Sequence, residues 1–482
     1  MDLIPYSNYN KKYSKKETYK LTKEKNDALE FLKNFMASDE TEALIKGYAG
    51  TGKTHLLKPF TRKIVRVNFC PTAPTHKAVR VIEQVLFRKG KTLQALHGLR
   101  PNTDIANFDI ARPKFDPNGI EYIKNYGLII IDEASQINKG IFDLNKIRAK
   151  QFNTKILYVG DEAQLPPINE NISKCFLLEN CFKLNEIVRQ EAGHPMLELF
   201  SSIRSDISEN NGKGNKFLRH IMTDRINVKD EIGFKLVQEY DFKKEVRRLF
   251  SDKRFEHDVN FVRHLSWTNN NVTKWNKYIR DILFDKPKEI LIKDDLLTAY
   301  NTFLNEFNEP VIINSEDYII DGIREYVNNY GIKTYAVNLI SLHDGRNTSV
   351  LQIVNHLHKE SFKKYYQILN HLHYKALVAT ASERKDKWSR YYQFKNNLLT
   401  MISFKLSKDN NEALVKKDID YGYAMTIHKS QGSTFKNVTI DLDDILYVNT
   451  KYGKYQAKDI ALRNKLIYVA MSRPTDMAVL KI

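Results

Sequence analysis

The chain has 482 residues, which is long enough for roughly two to four domains of ordinary size. Its 76 lysine and arginine residues outnumber its 58 aspartate and glutamate residues, and the net charge of +18 indicates a polyanionic partner such as nucleic acid. No run approaches the ~20 apolar residues of a membrane-spanning helix, and the first residues lack a signal-peptide pattern. The three cysteines have no metal-binding spacing, so we expect buried thiols in a cytoplasmic protein.

The first half of the chain alternates strand and helix patterns. After a basic arm at 1–20, helical spacing in LTKEKNDALEFLKNFMAS precedes a short buried-strand pattern, EALIKG. Further strand patterns in KIVRVNFCPTAPT, YGLIIIDEA and TKILYVGDEAQ predict a doubly wound α/β domain over 21–183. A stretch rich in Pro, Asn and Asp at about 99–124 is typical of an inserted hairpin.

The second half repeats this pattern with an interruption. An α/β pattern covers 184–299 and resumes over 419–482. The residues between, 300–418, contain short alternating strands and then an aromatic, basic helical stretch, KWSRYYQFKNNLLTMI. The simplest topology is a second α/β domain into which a β-rich domain is inserted.

A phosphate-binding loop is the clearest local motif. GYAGTGKT, residues 47–54, fits the pattern G-x-x-x-x-G-K-T, in which glycines let successive backbone N–H groups point at phosphate oxygens. Lys53 is expected to reach the β and γ phosphates, and the Thr54 hydroxyl to ligate Mg²⁺. The predicted nucleotide-binding residues of this loop are Gly47, Gly50, Thr51, Gly52, Lys53 and Thr54.

Acidic and amide side chains follow two later strands. In LIIIDEAS, Asp132 is placed to hold Mg²⁺ and Glu133 to polarise the attacking water. The alternative, a pair of exposed acids at a strand end, fits poorly after four hydrophobic residues. In YVGDEAQLPPI, Gln164 could report γ-phosphate occupancy. These motifs together predict hydrolysis of ATP or GTP.

The ordered motifs resemble those of superfamily 1 helicases over residues 47–476. The matching stretches are GYAGTGKT, APTHKAV, TLQALHGL, IIIDEAS, VGDEAQLPPI, LNEIVRQ, TIHKSQGSTF and YVAMSRPTD. APTHKA, IHKSQG and YVAMSR are most similar to the B branch, which includes RecD, Pif1-like and phage-encoded Dda-like enzymes. The resemblance implies two RecA-like domains that close on ATP, and 5′ to 3′ movement along single-stranded DNA.

The resemblance also assigns roles to residues outside the phosphate loop. Arg189 and Arg473 match arginines that approach the γ-phosphate, where a cation stabilises the charge of the transferred group. Gln431 and Gly432 match a motif that contacts both nucleotide and DNA. Trp267 is either a stacking platform for bases or a core aromatic. The residues that match the single-strand channel are Thr75, His76, Lys77, His97, Thr426, His428 and Lys429.

The inserted segments have counterparts in the same family. The hairpin at 99–124 falls where Dda-like enzymes carry a pin that splits the duplex, with Phe108 as the candidate tip and Phe115 as the alternative. Residues 300–418 correspond to a β-barrel-like (SH3-like) domain whose helical extension braces the pin. Four aromatic residues of that extension could form the brace or only pack their helix: Trp388, Tyr391, Tyr392 and Phe394.

The sequence therefore predicts an ATP- and Mg²⁺-dependent 5′ to 3′ DNA helicase that acts as a monomer on single strands and duplex junctions. Replication or single-strand-binding proteins are expected partners. Three alternatives stay open: a translocase that displaces proteins without unwinding, an RNA helicase, and a non-catalytic nucleic-acid-binding protein with a decayed phosphate-loop fold. The intact Lys53, Asp132, Glu133 and Arg473 disfavour the last.

Lys25 departs from the family pattern and generates a prediction about nucleotide choice. It aligns with a glutamine that reads the adenine edge in many members, and a lysine offers no acceptor for such a paired contact. We expect GTP or dATP to support appreciable hydrolysis. Steady-state rates with each nucleotide measure this, and strict dependence on ATP would contradict it.

Overall fold

The structure is a computed structural model, and its described residues have several gaps. They are 21–101, 115–116, 119–186, 195–209, 212–304, 310–408, 411–450, 453–456 and 459–482. In chain order, the strands are β1 (Glu42–Gly47), β2 (Phe69–Ala73), β3 (Lys91–Thr92), β4 (Arg100–Pro101), β5 (Phe115–Asp116), β6 (Leu128–Ile131), β7 (Lys155–Gly160), β8 (Cys181–Leu184), β9 (Ile226–Lys229), β10 (Ile232–Val237), β11 (Val262–Ser266), β12 (Leu296–Ala299), β13 (Phe303–Leu304), β14 (Pro310–Ile312), β15 (Asp317–Val327), β16 (Lys333–Ser341), β17 (Leu351–Val354), β18 (Phe404–Lys408), β19 (Asn411–Val415), β20 (Ile419–Tyr421), β21 (Ala424–Thr426), β22 (Phe435–Asp441), β23 (Tyr447–Thr450), β24 (Gly453–Gln456) and β25 (Pro474–Lys481).

The α-helices occur between these strands. They are α1 (Lys23–Ala37), α2 (Lys53–Lys63), α3 (His76–Leu86), α4 (Leu93–Leu96), α5 (Lys139–Phe152), α6 (Leu197–Ser208), α7 (Lys216–Thr223), α8 (Glu239–Phe250), α9 (Lys253–His257), α10 (Asn269–Leu283), α11 (Lys359–Leu377), α12 (Ala381–Asn397), α13 (Leu442–Leu446) and α14 (Ile460–Met471). Within the described residues, no helix has the length and apolar character needed to cross a bilayer.

The chain folds into two compact units, each built from stretches that are separated in the sequence. Apart from the gaps given above, the larger unit comprises 21–96, 121–285 and 423–482, and the smaller comprises 97–120 and 286–422. The larger unit contains two six-stranded sheets and the smaller contains a five-stranded one. The predicted boundaries at 183, 299 and 418 stay predictions.

The first sheet of the larger unit is parallel and buried on both faces. Its strand order is β3-β2-β6-β7-β1-β8. Alternate residues of β1 enter different cores: Ala43 and Ile45 pack with α1 and α2, whereas Leu44 packs on the opposite face with Phe142 of α5. Burial on both faces explains the continuous apolar runs that the sequence shows at β6 and β7.

The second sheet of the larger unit has the order β21-β11-β22-β25-β10-β9, and its pairs are parallel except β9 with β10. Val438 and Leu480 pack against apolar residues of α6 and α14, including Ile203 and Leu466. Strands brought together from 226–266 and 424–481 complete this sheet. Both stretches lie within the ranges predicted for the second α/β domain, 184–299 and 419–482, and that domain assignment stays a prediction.

The smaller unit contains an antiparallel sheet with the order β17-β16-β15-β12-β20, together with the helix pair α11 and α12. Trp388, Tyr391 and Phe394 of α12 are buried in a core that also contains Tyr365 of α11. Their packing within this unit accounts for their aromatic character. Barrel-like closure and contact with a pin stay predictions.

The hairpin insertion begins with a close approach of two backbones. Gly119 N–H donates to the Gly98 carbonyl oxygen at 2.8 Å, and β4 pairs with β5 in antiparallel register. A side chain at Gly98, where φ is +63°, would place its Cβ 2.7 Å from the backbone of Gly119. This approach brings the two ends of the insertion together, while its tip lies outside the described residues.

A buried carboxylate joins elements of the smaller unit and generates a stability prediction. Asp418 is fully buried and accepts hydrogen bonds from Lys395 Nζ at 2.6 Å and Thr400 N at 2.9 Å. Asp418→Asn should cost about 3 kcal/mol because it leaves the Lys395 ammonium without its buried counter-charge. Calorimetry should show the transition that contains this unit roughly 5–10 °C lower.

The matched control is Asp386→Asn, which removes an exposed carboxylate 3.1 Å from Arg390 on α12. Exposed pairs contribute less than about 1 kcal/mol, so this variant should melt close to the unmodified chain. Equal shifts in the two variants would contradict a special role for Asp418.

Candidate nucleotide-binding and hydrolysis site

The phosphate loop lies at the carboxyl edge of the first sheet. It follows β1 and ends where α2 begins at Lys53, so the N-terminus of α2 faces the loop. Gly50 and Gly52 have φ of +87° and +78°, a backbone conformation that favours glycine. The predicted loop residues are therefore brought together in the conformation that the motif requires.

Lys53 is held along this loop by its own backbone. The ammonium donates to the carbonyl oxygens of Gly47 at 2.7 Å and Tyr48 at 3.0 Å. The Thr51 hydroxyl donates to the same Tyr48 oxygen at 2.9 Å. These contacts keep the cation at the phosphate loop, where it can reach phosphate oxygens.

Two oxygen donors next to the loop fit a magnesium ion. The Thr54 hydroxyl donates to Asp132 Oδ2 at 3.1 Å, and Asp132 follows β6 at the same edge of the sheet. Hydroxyl and carboxylate oxygens are ligands that Mg²⁺ accepts when phosphates complete its shell. In the described part of the chain, no three His, Cys, Asp or Glu side chains form a metal cluster of their own.

Glu133 has the properties of a general base. Its φ is +57°, and its backbone N–H donates to Asp132 Oδ1 at 2.9 Å. Burial, reinforced by the neighbouring Asp132 carboxylate, raises the pKa of Glu133 to about 7. The positive charges of Arg473 and Lys53 oppose this rise. A carboxylate with a pKa near neutrality is suited to accept a proton from water.

The second sheet contributes an arginine and an amide to the same site. Arg473 lies two residues beyond the end of α14; it is buried and donates to the carbonyl oxygens of Ser430 at 3.2 Å and Ser433 at 3.0 Å. Gln431 Nε2 lies 3.5 Å from Gln164 Oε1, a long hydrogen bond between the two halves of the unit. A Cβ on the neighbouring Gly432 would lie 3.6 Å from Glu133 Oε1, and the charge of Arg473 acts on the same carboxylate, so residues of both sheets meet at Glu133.

The sequence motifs did not reveal two further side chains that contact the loop. Tyr468 accepts a hydrogen bond from Ala49 N–H at 2.8 Å, and Arg204 donates to the Ala49 carbonyl oxygen at 3.2 Å. Tyr468 lies inside the YVAMSR motif, which predicted that this segment is near the nucleotide but not that the Tyr468 hydroxyl contacts Ala49. Arg204 lies on α6, in a stretch without any motif.

Lys25 also lies at the phosphate loop. It is only 9% exposed, and its ammonium nitrogen is 3.1 Å from the position that a Cβ on Gly52 would occupy. The residue aligned with an adenine-reading position is therefore near the nucleotide site.

The predicted DNA-binding residues fall into two main groups. Thr75 caps α3 by accepting from Ala78 N at 3.2 Å, and partly buried His76 and Lys77 follow it at the carboxyl end of β2. The second group is Thr426, His428 and Lys429. Thr426 is the last residue of β21, the other two follow it, and His428 is exposed. Each group therefore begins a loop or helix at the carboxyl edge of its own sheet.

The remaining candidates have separate positions. Trp267 is partly buried against the core of the second sheet, which favours the core-aromatic interpretation, and its backbone N–H donates to Asp444 at 2.7 Å. His97 is buried. Arg189 and Phe108 lie outside the described residues, and only the backbone pairing of Phe115 is described.

The thiol prediction holds in part. Cys70, Cys175 and Cys181 are free; the first two are buried, whereas Cys181 is half-buried. Burial raises the pKa of the Cys175 thiol to about 12, so it is protonated at neutral pH. None of the three belongs to the site.

Comparisons with known proteins find sequence similarity to DNA helicases. A family model described as AAA domain matches residues 25–220. The chain is 25% identical over 370 residues to the ATP-dependent DNA helicase Pif1 of Campylobacter jejuni, covering 75% of this chain and 70% of that one. It is 23% identical over 323 residues to the ATP-dependent DNA helicase Dda of Enterobacteria phage T4, covering 64% and 66%. An uncharacterized protein of Acanthamoeba polyphaga mimivirus is 24% identical over 468 residues, covering 83% and 88%.

Similarity to a solved structure supports the fold. The crystal structure of Bacteroides Pif1 helicase with ADP-AlF3 and single-stranded DNA has a TM-score of 0.50, 18% identity, and coverage of 95% of this chain and 92% of that chain. The predicted tandem RecA-like α/β domains are thereby confirmed, whereas the forms of the two insertions stay predictions.

Arg473 provides a test of the site. Arg473→Lys should lower kcat for ATP hydrolysis by about 10³ with little change in KM, because a lysine cannot keep the guanidinium hydrogen bonds and charge position. Steady-state kinetics with single-stranded DNA measures both constants. Arg463→Lys is the control, because Arg463 is likewise buried and lies on α14, but it donates to Asn215 Oδ1 at 2.7 Å. Equal losses of kcat would contradict a role in hydrolysis.

Proposed function

We propose that this chain is an ATP-dependent DNA helicase of superfamily 1B, similar to Pif1 and Dda, that moves 5′ to 3′ on single-stranded DNA and unwinds duplexes. The observation that carries the proposal is the meeting of both sheets at Glu133. The Asp132–Glu133 pair comes from the first sheet, whereas Arg473 and the Gln431–Gly432 turn come from the second. A site completed by two domains makes hydrolysis depend on their contact.

Each residue has a role in ATP hydrolysis. Lys53 and the N-terminus of α2 hold the phosphates, and Glu133 takes a proton from the attacking water. Arg473 stabilises the charge that develops on the γ-phosphate, a role in which we also include Arg189. Thr54 and Asp132 would hold Mg²⁺, which neutralises phosphate charge when bound.

The DNA-binding surface is proposed at the carboxyl edges of the sheets. Two groups of side chains offer hydroxyls, N–H groups and cations to phosphates. They are Thr75, His76 and Lys77 at the first sheet, and Thr426, His428 and Lys429 at the second. The net charge of +18 favours such a polyanion. The 5′ to 3′ polarity and the choice of DNA over RNA rest on the family similarity.

Domain roles extend the proposal to duplex separation. We assign 21–183 to the first motor domain, and 184–299 together with 419–482 to the second. Within the first, 99–124 is assigned to a pin with Phe108 at its tip. Residues 300–418 are assigned to a domain that braces the pin. The paired base of the hairpin and the separate core of α11 and α12 support these assignments. The protein would act as a monomer in the cytoplasm, which would be that of the host cell if a phage encodes it. Replication or single-strand-binding proteins would act alongside it.

Unwinding of two partial duplexes tests the function directly. With ATP and Mg²⁺, we expect strand separation from a duplex that carries a 5′ single-stranded tail and not from one that carries a 3′ tail. Lys53→Ala should abolish separation because the phosphates lose their cation. A strand-displacement assay with labelled DNA measures both.

Other outcomes point to other activities. Opening only of the 3′-tailed duplex would contradict the polarity. DNA-stimulated hydrolysis without opening of either duplex would favour a translocase that displaces proteins. Preference for a matched RNA strand would favour an RNA helicase.

A further inference from the structure

The start of the phosphate loop is fixed by side chains from the other half of the larger unit. Both backbone groups of Ala49 are bound: its N–H donates to the Tyr468 hydroxyl at 2.8 Å, and its carbonyl oxygen accepts from Arg204 at 3.2 Å. The Arg204 guanidinium also lies 5.0 Å from the centre of the Tyr48 ring. Tyr468 and Arg204 are 419 and 155 positions beyond Ala49 in the sequence. The conformation of this loop therefore depends on α14 and α6.

The Tyr468 hydroxyl makes a second, charge-assisted hydrogen bond. It donates its single proton to Asp161 Oδ2 at 2.6 Å, so its lone pair is what accepts from Ala49 N–H. Both side chains are almost fully buried. Burial, together with the Asp161 carboxylate, raises the pKa of Tyr468 well above its ordinary value, so the hydroxyl keeps the proton.

Asp161 in turn shapes the turn that carries Gln164. Its Oδ1 accepts from Ala163 N at 3.0 Å, and its carbonyl oxygen accepts from Gln164 N at 3.2 Å. The Gln164 side chain then meets Gln431 of the second sheet. One tyrosine hydroxyl thus links the phosphate loop to the segment placed to respond to the γ-phosphate.

We propose that Tyr468 is a positioning residue whose hydroxyl makes the arrangement of the phosphate loop and of the Gln164 turn depend on contact with α14. Arg473 follows shortly after Tyr468, so the contact that brings the hydroxyl to Ala49 also brings the arginine to the site. Loss of this contact would release the loop, the turn and the arginine together. The inference rests on the proposed ATP hydrolysis and needs neither unwinding nor a particular polarity.

Tyr468→Phe removes only the hydroxyl and keeps the ring. We expect kcat with single-stranded DNA to fall about tenfold because two hydrogen bonds that position the site are lost, and the stimulation of hydrolysis by DNA to fall with it. The matched control is Tyr158→Phe. Tyr158 is equally buried on β7, and its hydroxyl also bonds a carboxylate, Glu42 Oε1 at 3.2 Å, but the hydroxyl has no contact with the phosphate loop.

The two variants separate a positioning role from general packing. Tyr158→Phe should keep kcat and the DNA stimulation within about twofold of the unmodified chain. An unchanged kcat in Tyr468→Phe would overturn the inference. Equal losses of kcat in both variants would also overturn it, because they would show that removal of a buried hydroxyl at either position has the same effect.

A binding measurement separates failure of this inference from failure of the proposed function. Absence of DNA-stimulated hydrolysis in the unmodified chain would refute the proposed function alone. The dissociation constant of a fluorescent, non-hydrolysable ATP analogue then tests the hydroxyl. A rise of about threefold or more in Tyr468→Phe, and not in Tyr158→Phe, supports the positioning role, and equal constants overturn it.

Discussion

Parallel pairing of β7 with both β1 and β6 sets the level at which the phosphate loop and the acidic pair begin. Tyr158 of β7 is in register with Leu44 of β1 and with Ile131 of β6. A slip of one residue would displace Asp132 by about 3.3 Å relative to Thr54 and break their contact. It would also exchange side chains between the cores on the two faces of the sheet. Packing of apolar residues therefore fixes the geometry of the charged ones.

The charges of the site balance one another across the two sheets. Glu133 is buried next to a second carboxylate, which disfavours its ionised form, and the cations Lys53 and Arg473 favour that form. In the proposed mechanism, Arg473 stabilises the charge of the γ-phosphoryl group, and its positive charge also favours the ionised form of Glu133.

Motif residues could be predicted from the sequence because their chemistry is local. The phosphate loop, Asp132 and the alternating strands carry their signal in a few consecutive residues, and the parallel order of the sheet then brings them together. Ala49 and Tyr468 could not be paired in this way, since no periodicity links positions so far apart. Trp388 shows a different limit: an aromatic, basic helix is consistent with a core, a brace or both, and only the structure shows that Trp388 packs in a core with Tyr365.

Strand β25 has a consequence for the order in which the enzyme becomes active during its synthesis. The first sheet draws all its strands from 42–184, so it can fold as soon as that stretch has left the ribosome. The second sheet has β25 between β22 and β10, and it stays incomplete until residues 474–481 have been added. Arg473 immediately precedes that strand. A growing chain therefore completes the sheet that carries the phosphate loop before it completes the sheet that Arg473 precedes, and the loop gains its contact with Tyr468 only near the end of synthesis.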